Sequence, residues 1–210
     1  MIKRTWKTLV ITSVMILLPI LAGVILWNQL PEQIPSHWNA AGEIDGYSSK
    51  SFAVFGMPLI LLGFQWLCVL GTGADPKKHN HSDKILHLVL WIIPIINALL
   101  SALTYAAALG KEVRMEMIMP VFVGLVLAIV GNYLPKCKQN YTIGIKIPWT
   151  LNSEENWNRT HRFAGRIWLV GGLVVMLTGF VGGFWIFLGV VLVMVFAPCI
   201  YSFVLHRRGI

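Results

Sequence analysis

Three groups of residues in this chain carry side chains that could do chemistry. The richest is the stretch 140–166. There Asn140, Lys146, Trp149, Trp157, Arg159, His161, Arg162 and Arg166 stand among the turn formers Gly144 and Pro148. Arginines at that density suit phosphate or carboxylate groups, and tryptophan offers an apolar plate with a hydrogen-bonding edge. The second group is His37, Trp38 and Asn39 with Asp45 and Lys50, set among Pro35, Gly42 and Gly46. One aromatic plate flanked by donors and acceptors has the makings of a recognition surface. The third, Asp75, His79, His81 and Asp83, has metal-ligating types, but Lys77, Lys78 and Lys84 lie among them and repel a cation, so no metal is expected. No HExxH, GxSxG or intramembrane aspartyl pair occurs, and no acid/base pair stands at a useful spacing. No enzyme activity and no cofactor are expected. Cys68, Cys137 and Cys199 lack CxxC spacing and read as structural thiols rather than a disulfide framework.

The elements that position these groups follow from composition. With 56% hydrophobic and only 12% charged residues and a mean hydropathy of +0.69, the chain is not a soluble domain, where charged residues run at about 25%. Apolar blocks long enough for a bilayer, about 20 residues each, fall at 8–30, 52–72, 85–109 and 117–134. A further run from Ile167 to Leu205 is too long for one crossing, and Gly182-Gly183 divides it into 167–182 and 184–205. The fold class is therefore all-α and polytopic, with six transmembrane helices. The first run reaches about Leu30, longer than a signal-peptide core, and is expected to stay as a span. The domain organisation expected is 1–71 for the first two spans and their loop 31–51, 72–134 for spans three and four, and 135–210 for the loop 135–166 with the last two spans.

Placing the N-terminus inside puts 14 of the 17 Lys and Arg residues in inner segments and leaves Lys50, Lys111 and Arg114 outside. The positive-inside rule then sets both termini in the cytoplasm, the 31–51 loop outside and the 135–166 loop inside. The net charge of +8 thus follows membrane topology, and no direct nucleic-acid contact is expected. Trp6, Trp27, Trp168 and Trp185 near span ends fit an interfacial belt. All nine acidic residues are expected in loops. Intramembrane ionisable groups mark pumps and proton-coupled carriers, so a small exporter of an amphipathic compound is the second-ranked function. Gln65, Asn97, Ser101, Thr104 and Thr178 are expected to bond between helices.

Within the loops, Pro31 and Pro35 favour extended backbone while Gly42 and Asp45-Gly46 supply turns, so an ordered lid or hairpin is expected. In the inner loop Ile143, Ile145 and Ile147 alternate with Gly144, Lys146 and Pro148, which predicts a strand-like segment. Ser153 reads as a helix N-cap with Glu154 and Glu155 in the first turn. That helix is expected to put Trp157, His161 and Ala164 on one side, with Arg159, Arg162 and Arg166 elsewhere, and to lie in the headgroup region against membrane lipid.

Two motifs carry a resemblance. Pro31-x-x-Ile34-Pro35-x-His37-Trp38-Asn39-x-x-Gly42-x-x-Asp45-Gly46-Tyr47-x-x-Lys50 resembles the DUF1648 signature. Asn140-x-x-Ile143-Gly144-Ile145-Lys146-x-Pro148-Trp149-Thr150-Leu151, followed by Trp157, His161-Arg162 and Gly165-Arg166, resembles the SdpI family of immunity proteins. The resemblance implies a bacterial plasma-membrane protein that protects the cell from a membrane-active peptide toxin and holds a small DNA-binding autorepressor at the membrane. It implies a toxin-facing outer loop with Pro35, His37, Trp38, Asn39, Gly42, Asp45, Gly46 and Lys50. The inner motif of Asn140, Gly144, Lys146, Pro148, Trp149, Trp157, Arg159, His161, Arg162 and Arg166 would face the repressor or report state. Lys146 departs from the pattern, which has Arg there; Lys keeps the charge but loses the planar fork. No oligomeric state is implied.

Overall fold

The computed structural model describes residues 2–210, with side chains from Thr5 onward. Lys3 and Arg4, counted in the charge balance, have side chains outside the described residues. Six helices are long and apolar enough to cross a membrane: Thr5–Ile25, Phe52–Ala74, Asp83–Ala108, Met115–Lys136, Glu154–Val181 and Phe184–Arg207. In order the elements are α1 (Ile2–Ile25), β1 (Gln33–Trp38), β2 (Ile44–Ser49), a π-turn Phe52–Gly56 leading into α2 (Met57–Ala74), α3 (Asp83–Ala108), α4 (Met115–Tyr133), α5 (Pro148–Asn152), α6 (Glu154–Val181) and α7 (Phe184–Arg207). The six-helix, all-α expectation holds, with one hairpin as its β structure among the described residues.

The chain forms two compact units, Met1–Gly73 with Asp83–Arg114, and Ala74–Ser82 with Met115–Ile210. In the first, α1 packs along α3. Ser101, expected to bond between helices, reaches Asn97 Oδ1 of its own helix at 3.5 Å, but other polar side chains inside these spans do act between helices: Asn97 Nδ2 donates to the Ile16 carbonyl at 2.8 Å, and the Tyr105 hydroxyl to the Pro19 carbonyl at 3.2 Å. Such bonds hold where no water competes. Gln65 likewise reaches Thr12 Oγ1 at 3.0 Å. Under the hairpin, Leu30, Ile34, Val54 and Tyr105 form a buried cluster.

In the second unit, α4 and α6 run antiparallel at backbone contact. A methyl group on Gly172 would lie 2.5 Å from the Ala128 amide, on Gly131 2.5 Å from the Leu169 amide, and on Gly179 2.6 Å from the Met117 carbonyl. With no hydrophobic drive between helices in lipid, small residues win by letting the backbones close. Gly182 and Gly183, at φ 67° and 142°, make the tight turn into α7. Thr178 departs from its expected interhelical role and donates to Val175 O of its own helix at 2.7 Å.

Three expectations change. The segment 143–147 is a bend followed by irregular chain rather than a strand, because Gly144 takes φ 120° and side chains from elsewhere consume the backbone hydrogen bonds. The helix begun at Ser153 does not lie apart from span five: α6 is one 28-residue helix, since no proline interrupts it and its glycines are covered by neighbouring helices, Gly172 and Gly179 by α4 and Gly171 by α7. Asp83, Glu116, Glu154 and Glu155 sit in first turns of helices rather than in loops, where the helix dipole favours negative charge.

Candidate functional site

The hairpin is built by its own motif. Asn39 makes the turn: its Oδ1 accepts the Ala41 and Glu43 amides at 2.9 and 3.0 Å, and its Nδ2 donates to Glu43 Oε2 at 2.9 Å. Gly42 occupies φ 82° at the tip. The strands pair antiparallel with Ile34 opposite Ser48, Pro35 opposite Tyr47 and Trp38 opposite Ile44, and an irregularity lies around His37. Gly46 faces His37, and a Cβ there would sit 2.9 Å from the His37 Cβ. Lys50 locks the base. Its ammonium, on a residue only 6% exposed, donates to the Trp27 carbonyl at 3.2 Å, pairs with Glu32 at 2.8 Å and lies 4.9 Å from the Trp27 ring centroid.

Five of the eight hairpin residues singled out by sequence, Pro35, Asn39, Gly42, Gly46 and Lys50, therefore shape the hairpin. What it presents outward is the His37–Asp45 pair, Nδ1 to Oδ1 at 2.5 Å with side chains 71% and 45% exposed, and the half-buried Trp38. Tyr47 and Ile44, 59% and 39% exposed, add apolar surface that the sequence reading did not single out.

The second region is held by buried polar side chains. Asp75 Oδ2 accepts the Tyr141 amide and the Thr142 hydroxyl, both at 2.9 Å, while Oδ1 accepts the Lys77 amide at 2.7 Å. His81 Nε2 lies 3.3 Å from both Asp75 Oδ2 and Thr142 Oγ1. Burial would raise the Asp75 pKa, but these donors and His81 outweigh it and hold the carboxyl below its ordinary 3.8. Asp75 and His81, weighed as metal-ligand types from sequence, thus fasten the 74–82 loop to residues 141–142. Among the described residues no group of three His, Cys, Asp or Glu side chains is arranged to hold a metal.

Asn140, fully buried, folds the chain around itself. Its Oδ1 accepts the Thr142 and Ile143 amides at 2.9 and 2.6 Å, and its Nδ2 donates to the Lys138 and Ile143 carbonyls at 2.8 Å. Gln139 Nε2 reaches the Thr150 and Leu151 carbonyls at 2.8 and 3.0 Å, its Oε1 accepts from Lys77, and Asn80 donates to its carbonyl at 2.7 Å. Cys137 is buried, and its thiol is pushed up to about 11 by that burial, an Asn140 hydrogen bond only partly opposing it. It stays protonated at neutral pH and donates to the Ile143 carbonyl at 3.3 Å.

Trp157 and His161 form the floor, rings stacked at 4.0 Å. Trp157 is fully buried and its Nε1 donates to the Cys137 carbonyl at 2.7 Å. His161 Nε2 accepts the Ile145 amide at 3.0 Å, so its proton sits on Nδ1 and is donated to the Trp157 carbonyl at 2.9 Å. Gly144 is required above this pair, because a Cβ there would lie 2.5 Å from His161 Nε2.

Of the remaining residues of this motif, Lys146, Pro148 and the three arginines are exposed, and Trp149 is half-buried. Lys146 is exposed and donates to the Thr142 carbonyl at 2.8 Å. Pro148 begins α5, and Trp149 packs on Phe203 at 5.1 Å and His206 at 6.1 Å. Arg159 pairs with Glu155 at 2.5 Å, Arg162 donates to its own helix at Asn158 O, and Arg166 is exposed. The expected split of α6 into a Trp157/His161/Ala164 side and an arginine side is what the helix shows. Sequence reasoning missed Gln139, Thr142 and Asn156. The last bonds Ser202 and the Ile210 carbonyl at 3.0–3.2 Å, tying α6 to the end of α7. A polar residue pointing at backbone leaves no sequence period.

Comparison with known proteins follows the same two regions. The SdpI/YfhL protein family model matches residues 136–202, and the domain of unknown function DUF1648 matches residues 14–62. The chain is 30% identical over 189 residues to Immunity protein SdpI of Bacillus subtilis (strain 168), covering 90% of this chain and 89% of that protein. No solved structure matches. With six apolar helices and this relationship it is a multi-pass protein of the bacterial plasma membrane, and it belongs to the SdpI/YfhL protein family.

Proposed function

We propose that this protein is a membrane immunity protein that protects its cell against a membrane-active peptide toxin. The observation that carries the proposal is the similarity to an immunity protein along nearly the full length of both chains. The charge asymmetry sets both termini in the cytoplasm, so the hairpin faces out and the 137–166 region faces in. The exposed His37, Asp45 and Tyr47, with the half-buried Trp38, then meet the toxin. The outward face of the inner region, with Lys146, Arg162 and Arg166, docks a small DNA-binding repressor and reports toxin engagement. Neither region performs catalysis in this reading: His161 has both ring nitrogens committed to backbone groups, and the His37–Asp45 pair sits on open surface.

Survival assays test the proposal. Expression in a toxin-sensitive strain is expected to protect against the cognate peptide, and absence of protection against any peptide toxin related to that of the family sinks the reading. Arg162→Ala is the variant to separate reporting from protection, because Arg162 is exposed and Trp157 is not.

A further inference from the structure

The hairpin has two edges, and only one of them is closed. On β1 the edge holds Pro35, which has no N–H to offer, and Ile34 and Pro35 are buried where β1 packs against α3. β2 carries no proline, and among the described residues the sheet ends there. Its Ile44, Asp45, Tyr47 and Ser49 are exposed, with Gly46 and Ser48 half-buried.

The ladder decides which groups the open edge presents. The Lys50 amide donates to the Glu32 carbonyl at 2.9 Å, and Gln33 stands opposite Ser49, Ile34 opposite Ser48 and Pro35 opposite Tyr47. Bonded and non-bonded pairs alternate in an antiparallel ladder. Glu32 with Lys50 and Ile34 with Ser48 are therefore bonded pairs, while Pro35 with Tyr47 is not, as a proline there demands. The irregular register begins only beyond Pro35, so this phase holds up to Tyr47. The N–H and C=O of Tyr47 thus point away from β1, along the open edge. A donor and an acceptor side by side on an exposed strand are the template for an extended polypeptide backbone.

Charge narrows the class of polypeptide. The segment 31–51 holds three acids, Glu32, Glu43 and Asp45, and one base, Lys50, in a chain whose net charge is +8. Lys50 is turned inward, whereas the three carboxylates lie on exposed residues. With histidine neutral, the charge that the hairpin shows to solvent is wholly negative. Peptides that act on bacterial membranes are rich in Lys and Arg, and opposite charge steers such partners together.

We propose that the hairpin captures a basic peptide toxin as a third strand added along β2. The peptide backbone exchanges hydrogen bonds with the N–H and C=O of Tyr47, and its basic side chains are drawn by Asp45 and Glu43. This mode of capture rests on the immunity reading and specifies how the toxin is held.

The test uses the full-length protein in phosphatidylcholine nanodiscs, whose neutral surface does not itself attract a basic probe. The probe is a fluorescent peptide alternating lysine and valine. It is compared with the same peptide N-methylated throughout, which keeps charge and side chains and has no backbone donor, and with one alternating glutamate and valine. By fluorescence anisotropy the methylated peptide is expected to bind about tenfold more weakly, the effect of one hydrogen bond left unmade, and the acidic peptide not to bind. Tyr47→Pro takes the outward N–H without touching the bonds to β1, and is expected to bring the two basic peptides to the same weak binding. Tyr47→Val loses the ring and keeps the N–H, so it is expected to weaken both and preserve their ratio. Should Tyr47→Pro not fold, the wild-type ratio and Tyr47→Val decide.

No binding of the basic peptide, equal binding of its methylated form, binding of the acidic one, or β2 edges of two copies cross-linked to each other in the peptide-free protein would each overturn the added strand. Survival assays keep the two readings apart. A wild type that protects while none of these peptide effects appears removes the added strand and leaves immunity standing. A wild type that binds as expected and fails to protect removes immunity and leaves the edge site.

Discussion

The hairpin and the 137–166 region carry equally dense motifs, yet they spend them differently. In the hairpin, Asn39, Gly42, Gly46 and Lys50 build a small scaffold whose product is an open surface, with His37, Asp45 and Tyr47 in solvent. In the other region the motif residues Asn140, Gly144, Trp157 and His161 are turned inward and satisfy backbone groups of an irregular loop. Buried irregular backbone must find partners, and here side chains supply them. The lesson is that a residue in a motif is not thereby a contact residue. One motif makes a surface; the other makes a knot whose surface is carried by residues between the knot positions.

The comparison breaks most sharply at Trp157. Trp157→Ala is expected to destabilise the protein by about 3–5 kcal/mol, as for other buried tryptophans, and to lower the melting temperature in detergent. A melting temperature close to wild type would show that the knot is not what holds the region. Next comes Asp75→Asn, which removes a carboxylate accepting several donors and is expected to cost about 1.5–3 kcal/mol. Its sign with pH is fixed. Because the folded pKa lies below 3.8, the stabilisation is complete above that value and is lost as pH falls from there through the folded pKa. Acid titration of wild type is expected to show this loss and Asp75→Asn to lack it.

A smaller effect is expected at the hairpin base. Lys50→Met keeps the stem and drops the charge-assisted bonds to Glu32 and the Trp27 carbonyl, for about 1.5 kcal/mol. Faster proteolysis of the hairpin at unchanged helix content would report it. Smallest in stability is His37→Ala, where an exposed pair contributes up to about 1 kcal/mol. In the proposed function this same change is expected to weaken protection while the melting temperature stays put. If His37→Ala unfolds the protein, or leaves protection intact, the hairpin is not the surface proposed for it.

Much of this was legible beforehand. Apolar blocks between loops gave six helices, because hydrocarbon admits only backbone that satisfies itself. Prolines and glycines at 31–46 gave the ordered hairpin, and Ser153 with two glutamates gave the start of α6, whose cap accepts the Asn156 amide at 3.1 Å. The strand expected at 143–147 failed for a physical reason. Ile143, Ile145 and Ile147 carried a period of two, but period says nothing about whether a partner strand exists, and Asn140, Thr150 and His161 took the backbone groups a strand would have offered. Asp75 and His81, where no metal was expected, fasten their loop through Thr142, more than sixty positions away, and no spacing in the sequence marks that contact.

The sequence alone determined what the solvent enforces: helices across lipid, turn formers where the chain reverses, and family membership through two motifs. Only the tertiary structure decided which motif residues are structural and which are surface. That division rests on contacts between positions far apart, such as Asp75 with Thr142, Trp157 with Cys137, and Gly172 with Ala128. Burial and hydrogen-bond partners belong to pairs brought together by folding, and no local pattern of residue types records them.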